Sequence, residues 1–193
     1  MIRRVLIVED EPEVAALYEG YLADQYDVEV VNTGEDALDA LDAETDAVLL
    51  DRRLPDMAGS EVLTAIRDRG FDCRVAMVTA VEPDVDIVEM GFDLYLVKPA
   101  TRDDIHTAVE RLGTRANYDE KLRRTAALVT KRALLEAERP RSELRESSEY
   151  DALLDRIEKL QADLDDLGTA FAPDDYRMLF RSIGETNVES ESV

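Results

Sequence analysis

Five short apolar runs, each separated from the next by helical patterning, constrain this chain more than any other feature. Val5-Leu6-Ile7-Val8 is the first, and similar runs recur at 28–31, 47–50, 75–78 and 94–97. A run that is apolar on both faces suits a strand buried on both sides, as in a parallel sheet. Between the runs, Val14, Leu17, Tyr18, Tyr21 and Leu22 share one face of a segment whose Pro12 fits a first helical turn. Further stripes are Ala37, Leu38 and Leu41; Val62, Leu63 and Ile66; and Ile105, Val109 and Leu112. The pattern is thinnest after the fourth run, where 82–90 supports about two turns. Strand–helix alternation with such short links implies crossovers and a parallel sheet covered on both faces.

Charge separates this half from the rest. The 193 residues carry a net charge of −22, from 23 Lys+Arg and 45 Asp+Glu. Residues 1–112 hold −17 of it, 113–145 hold +4, and 146–193 hold −9. Such acidity argues against a protein that coats nucleic acid or anionic membrane by bulk attraction. Only four of the basic residues are lysines, at 98, 121, 131 and 159. Many carboxylates with little lysine is the style of a salt-loving cytoplasm. The lone Cys73 excludes an internal disulfide or a cysteine-based zinc site. No apolar run approaches the ~18 residues of a membrane span, so the chain reads as soluble and cytoplasmic.

In an open parallel sheet, ligands bind beyond the carboxyl ends of the strands. There the sequence places Glu9-Asp10-Glu11 after the first run, Asp51 after the third, Thr79 at the end of the fourth and Lys98-Pro99 after the fifth. Clustered carboxylates repel unless a cation joins them, and hard oxygen ligands suit Mg²⁺. A metal beside Asp51 would neutralise an approaching phosphoryl group and leave the carboxylate free to act as nucleophile. An ammonium and a hydroxyl can hold the transferred phosphoryl oxygens.

The residues 5–12 (Val-Leu-Ile-Val-Glu-Asp-Glu-Pro), Asp51 followed by Leu54-Pro55-Asp56-Met57-Ala58-Gly59, Val78-Thr79-Ala80, and Tyr95-Leu96-Val97-Lys98-Pro99 resemble the receiver domain of two-component response regulators. The resemblance covers residues 1 to about 112. It implies a doubly wound, five-stranded parallel α/β sheet of the flavodoxin-like kind. It implies Asp51 as phospho-acceptor, Glu9 and Asp10 as the acidic pair that binds Mg²⁺, and the backbone carbonyl of Arg53 as a further ligand. Thr79 and Lys98 would contact the phosphoryl group, Thr79 and Tyr95 would act as the switch, and Lys98–Pro99 would be cis. The partner would be a sensor histidine kinase, and the chain a signalling protein rather than an enzyme. The sequence departs from the family in the fourth helix, with only 19 positions from Thr79 to Lys98 and a proline at 83. Gly59 is assigned to backbone geometry rather than to the site.

Residues 113–183 read as a small helical domain, partly coiled-coil-like. A first helix carries Tyr118, Leu122, Ala126, Val129 and Ala133, and ends before Arg139-Pro140. A second has a seam of Tyr150, Leu153, Ile157, Leu160, Leu164 and Leu167, with Gly168 as its stop. Pro173-Asp174-Asp175 opens a third with Tyr176, Leu179, Phe180 and Ile183, and 184–193 read as a disordered acidic tail. Attached to so acidic a receiver, this region resembles the HalX domain of haloarchaeal response regulators. Two outputs stay open. The 153–167 seam favours protein interaction or a homodimer, whereas the basic stretch 121–132, with Lys121, Arg123, Arg124, Lys131 and Arg132, favours a DNA-binding transcription regulator. A phosphohydrolase is disfavoured, because Arg53 stands where such enzymes carry a second acid.

Overall fold

The computed structural model describes residues 2–83, 87 and 90–169. The expected short helix at 82–90 falls largely outside them, and the expected third helix at 173–183 and the tail at 184–193 lie wholly outside. The chain forms two compact units that divide after Gly113.

The first unit contains β1 (Arg4–Val8), α1 (Pro12–Leu22), β2 (Asp27–Val31), α2 (Gly34–Ala40), β3 (Ala47–Leu50), α3 (Gly59–Asp68), β4 (Arg74–Thr79) and β5 (Leu94–Val97). All four ladders are parallel, and the strand order is β2-β1-β3-β4-β5. Strand side chains alternate faces, so the runs of β1, β3 and β4 fill two layers at once, whereas the run at 28–31, which contains Glu29, is only half-buried because β2 is an edge strand. On one face Leu6, Val8, Val48, Leu50, Val75 and Met77 join Ala37, Leu41, Val62, Leu63 and Ile66 of the α2 and α3 region in one buried cluster. The alternate residues Val5, Ile7, Leu49 and Val78 are equally buried, as are Ala15, Tyr18 and Leu22 of α1 and Ile105, Val109 and Leu112. Each such aliphatic contributes roughly 1.5–3 kcal/mol by leaving water. Leu17, expected on the buried face of α1, is 47% exposed. The helix presents its 15, 18 and 22 edge to the sheet, which turns position 17 outward.

Capping fixes the helix starts. Thr33 Oγ1 accepts from Asp36 N at 3.1 Å at the start of α2. Ala58 N donates to the Glu61 carboxylate at 2.8 Å at the start of α3. Asp93, just before β5, is the polar tie of the far sheet edge. Its carboxylate accepts from Arg74 at 2.9 Å, Arg67 at 3.1 Å and Val75 N at 2.9 Å. Asp93→Ala is expected to cost about 2–4 kcal/mol, read as a lower urea midpoint with an unchanged slope, because two guanidinium groups lose their carboxylate partner and Val75 N loses its side-chain acceptor.

Helix α4 (Arg102–Glu138) is opened by a reciprocal cap. Thr101 N donates to the Asp104 carboxylate at 2.9 Å, and Asp104 N donates to Thr101 Oγ1 at 3.3 Å. In the second unit α4 is followed by α5 (Arg141–Arg145) and α6 (Ser148–Thr169). The one-turn helix α5 links the two long helices. Pro140 supplies φ −59° ahead of it, and buried Leu144 anchors it. Lys121 pairs with Asp163, and the Tyr150 hydroxyl donates to Glu136 at 2.6 Å, so α4 and α6 run antiparallel. The expected seam is present, with Ile157 and Leu160 buried and Leu153 and Leu164 half-buried. Gly168 does not stop α6, which runs through it to Thr169.

The α4 side of the seam differs from expectation. Thr125 is buried and Lys121, Leu128 and Arg132 are half-buried, whereas Leu122 and Val129 are 48% and 36% exposed. The cross-helix ties at 121 and 136 set this rotation. The steps 121, 125, 128, 132 match the seam of α6 better than the 118, 122, 126 spacing does.

Candidate functional site

The order β2-β1-β3 places a topological switch point between β1 and β3, where crossovers leave in opposite directions and open a crevice at the carboxyl ends. Glu9 and Asp10 leave β1 there, and Asp51 leaves β3. One carboxylate oxygen from each lies within 4.8 Å of the others. Glu9 is 1% exposed and Asp51 6%, whereas Asp10 is exposed at the mouth.

Backbone bonds fix these positions before any side chain acts. Glu9 N donates to Val31 O at 3.1 Å and Asp51 N to Val8 O at 2.9 Å, extending the β-ladders one residue beyond the strands. Asn32 Nδ2 donates to the Glu9 carbonyl at 2.7 Å. Lys98, held by its N–H on the Thr79 carbonyl at 2.8 Å, spans the mouth. Its Nζ reaches Asp51 Oδ2 at 2.6 Å and both Glu9 oxygens at 2.7 and 2.8 Å. The Lys98–Pro99 bond is cis.

Charge in this crevice is unbalanced. Burial pushes the Glu9 carboxyl above its ordinary range, against the Lys98 ammonium, which pulls it down. Burial pulls Lys98 down, but its bonds to Asp51 and Glu9 outweigh it and leave its pKa raised. Tyr18, beneath the site on α1, is pushed up to about 12 chiefly by burial. One ammonium faces three carboxylates, an excess that a hard divalent cation would balance. The oxygen donors of Glu9, Asp10 and Asp51 therefore fit a metal such as Mg²⁺.

The other expected residues take distinct places. Arg53 N donates to Asp51 Oδ1 at 3.1 Å, so the residue two beyond the aspartate touches it through its backbone. Thr79 is 1% exposed, and its hydroxyl accepts from Val81 N at 3.3 Å rather than reaching the carboxylates. Tyr95 is buried against Phe92, with ring centroids 5.5 Å apart, and its hydroxyl donates to the Val81 carbonyl at 2.7 Å. Val81 thus joins the two residues expected to switch, through its N–H and its C=O.

Two residues of the 54–59 stretch support the site without joining its chemistry. A Cβ on Gly59 would lie 2.1 Å from the Asp51 carbonyl oxygen, so only glycine lets α3 start this close to the site. Asp56 accepts from Gly34 N at 2.9 Å and Glu35 N at 2.8 Å, tying the loop after Asp51 to the start of α2. These two N–H groups hold its carboxyl below the ordinary range. A depressed folded-state pKa contributes stability above the unfolded carboxylate value of ~3.9, lost as pH falls through the folded value. Asp56→Asn is therefore expected to destabilise the chain at neutral pH, with the difference from wild type shrinking in acid unfolding below about pH 4.

Comparison with known proteins agrees with this geometry. The family model of the response regulator receiver domain matches residues 5–110, and that of the HalX domain matches 114–180. A protein of Haloferax volcanii named as a transcriptional regulator is 44% identical over 160 residues, covering 82% of this chain and 27% of that protein. The regulatory protein LuxO of Vibrio cholerae is 37% identical over 108 residues, covering 53% of this chain and 24% of that protein. The chain thus spans about a quarter of the length of these curated relatives. The crystal structure of a LuxO signal receiver domain from Vibrio parahaemolyticus superimposes with TM-score 0.57 at 32% identity, covering 62% of this chain and 96% of that one. The Thermotoga maritima response regulator TrrA, solved with Mg²⁺ and beryllofluoride, gives TM-score 0.51 at 29% identity, covering 57% of this chain and 99% of that one. The receiver match covers more than half of the residues, and the chain belongs to the response regulator receiver family, with a HalX domain behind the receiver.

Proposed function

We propose that Asp51 accepts a phosphoryl group from the phosphohistidine of a sensor histidine kinase, and that the helical unit passes the change on by protein contact or dimerisation. The observation that carries this reading is the Asp51 carboxylate, buried between Glu9, Asp10 and Lys98 at the switch point of the sheet. An Asp51 oxygen forms the new P–O bond as the P–N bond to the kinase histidine breaks. Glu9, Asp10, Asp51 and the Arg53 carbonyl would hold Mg²⁺, which, when bound, neutralises phosphoryl oxygens as they approach. Lys98 Nζ, already on Asp51 Oδ2, is placed to hold a phosphoryl oxygen, and the N–H of Arg53 keeps the second carboxylate oxygen oriented. Added charge on Asp51 competes for the Thr79 hydroxyl. Loss of the Thr79–Val81 bond frees the loop on which the Tyr95 hydroxyl is fastened. The chain acts as a phospho-accepting signalling protein, not as an enzyme with its own substrate.

Acetyl phosphate with MgCl₂ tests this. Wild type is expected to become labelled, and Asp51→Asn is expected to lose the label by about a hundredfold or more. Equal labelling of the variant would overturn the reading.

A second output reading, DNA binding, is favoured by the name of the Haloferax relative and by the exposed Arg123, Arg124 and Lys131 on α4. Mobility shift of duplex DNA in concentrated KCl, lost in an Arg123, Arg124, Lys131 alanine variant, would favour it over protein contact.

A further inference from the structure

The α4–α6 hairpin carries a groove of about 310 Å³ whose walls are cationic. Lys121 and Arg124 line it from α4, Arg156 and Lys159 from α6, with Glu120 and Asp163 as its two acids. Spacing of three residues puts each basic pair on one face of its helix. The antiparallel register that pairs Lys121 with Asp163 sets the two faces opposite one another.

Lys121 is engaged, and it holds the Asp163 carboxyl below the ordinary range. Arg124 and Arg156 form no ion pair with another described residue, and both are exposed at the rim. Four cations against two carboxylates leave a local excess of positive charge in a chain whose net charge is −22. With 45 acidic residues in the chain, intramolecular neutralisation of this groove was available and is incomplete. Mutual repulsion of cations on facing helices is relieved by an anion seated between them.

Size and charge choose the anion. The groove, of about 310 Å³, has room for linked phosphoryl groups, and its cations stand on two facing helices rather than at one point. Two guanidinium forks give paired bonds to phosphate oxygens, and the Lys159 ammonium adds a point charge. Duplex DNA would bring its extended field against the rest of an acidic surface, whereas a small anion meets only the groove. We infer that this groove binds a small polyphosphate anion, such as pyrophosphate or the triphosphate of a nucleotide. The inference is independent of the role of Asp51.

Isothermal titration of the full chain with inorganic pyrophosphate, tripolyphosphate and orthophosphate, without Mg²⁺, tests it. Pyrophosphate and tripolyphosphate are expected to bind at least about tenfold more tightly than orthophosphate. The double variant Arg156→Ala, Lys159→Ala is expected to weaken both by about tenfold or more, while Arg156→Lys, Lys159→Arg, which keeps one guanidinium and one ammonium on α6, weakens them by less. Helical circular dichroism should be the same in all three chains, since Ile157 and Leu160 keep the seam. No binding, or equal binding by the alanine variant, would overturn the proposal. So would a duplex-DNA shift lost in the alanine variant of a chain that takes up no polyphosphate, which would assign the groove to DNA. Loss of the heat in Asp51→Asn would likewise overturn it, by placing the anion in the receiver.

Discussion

Gly59→Ala is expected to lower stability by about 2–4 kcal/mol and to remove most acetyl phosphate labelling of Asp51. The added methyl would lie 2.1 Å from the Asp51 carbonyl oxygen and 2.9 Å from Arg52 Cα. Both obstacles are backbone, so no rotamer change relieves the contact. Either α3 retreats, breaking the 2.9 Å bond from Gly59 N to the Arg52 carbonyl, or the strand end carrying Asp51 shifts. A displacement of about 1 Å is enough to disorganise the grip of Lys98 on Asp51, and positioning errors of that size cost up to about a hundredfold in rate. Gly20→Ala is the control. It lies in α1 with nothing within 4 Å of its would-be Cβ, and there alanine should add roughly 0.5–1 kcal/mol. Denaturation midpoints that move in opposite directions in these two variants would confirm that the effect at 59 is steric. A Gly59→Ala chain as stable and as readily labelled as wild type would refute the close packing of α3 on the site.

The core and the acid cluster were legible because they obey local rules. Each strand except the edge strand β2, which contains Glu29, centres on a run of apolar residues, and each site residue sits at the end of one such run. Period and position together therefore locate Glu9, Asp10, Asp51 and Lys98 without coordinates. Support for the site was less legible. Asp56 looks like an ordinary loop acid, and its bonds to Gly34 and Glu35 join residues more than 20 positions apart, beyond any local signal. Val81, which ties Thr79 to Tyr95 through its backbone, has no side-chain signature for that role. In the helical unit the apolar spacing of α6 was correct, but that of α4 chose the wrong edge. Its inward edge includes buried Thr125 and half-buried Lys121 and Arg132, residue types that a hydrophobicity pattern reads as surface. Long basic side chains can lie along an apolar seam with their charge outside, and cross-helix bonds at 121 and 136 decide the rotation.

Lys98→Ala is expected to lower labelling by about tenfold or more, to cost about 3–5 kcal/mol of stability without Mg²⁺, and to bind Mg²⁺ more tightly than wild type. The first two effects follow from what Nζ touches. It is bonded to Asp51 at 2.6 Å and to both Glu9 oxygens, and both acids are almost wholly buried. Without the ammonium, three carboxylates within 4.8 Å of one another have no counter-charge among them. Burial already pushes the Glu9 carboxyl up, and loss of its Lys98 bond, the strongest opposing influence, would push it further. The third effect separates this account from a simple loss of packing. Lys98 and a divalent cation would both neutralise the same oxygens, so removing one strengthens the demand for the other. Thermal unfolding as a function of MgCl₂ measures it. Added MgCl₂ should raise the Tm of Lys98→Ala by more than that of wild type, with a lower half-saturating concentration, because ligand bound only to the folded chain stabilises it by mass action. Equal Mg²⁺ responses in the two chains would mean that the ammonium and the metal site are not electrostatically coupled. In that case the acid cluster of Glu9, Asp10 and Asp51 would be held by Lys98 alone.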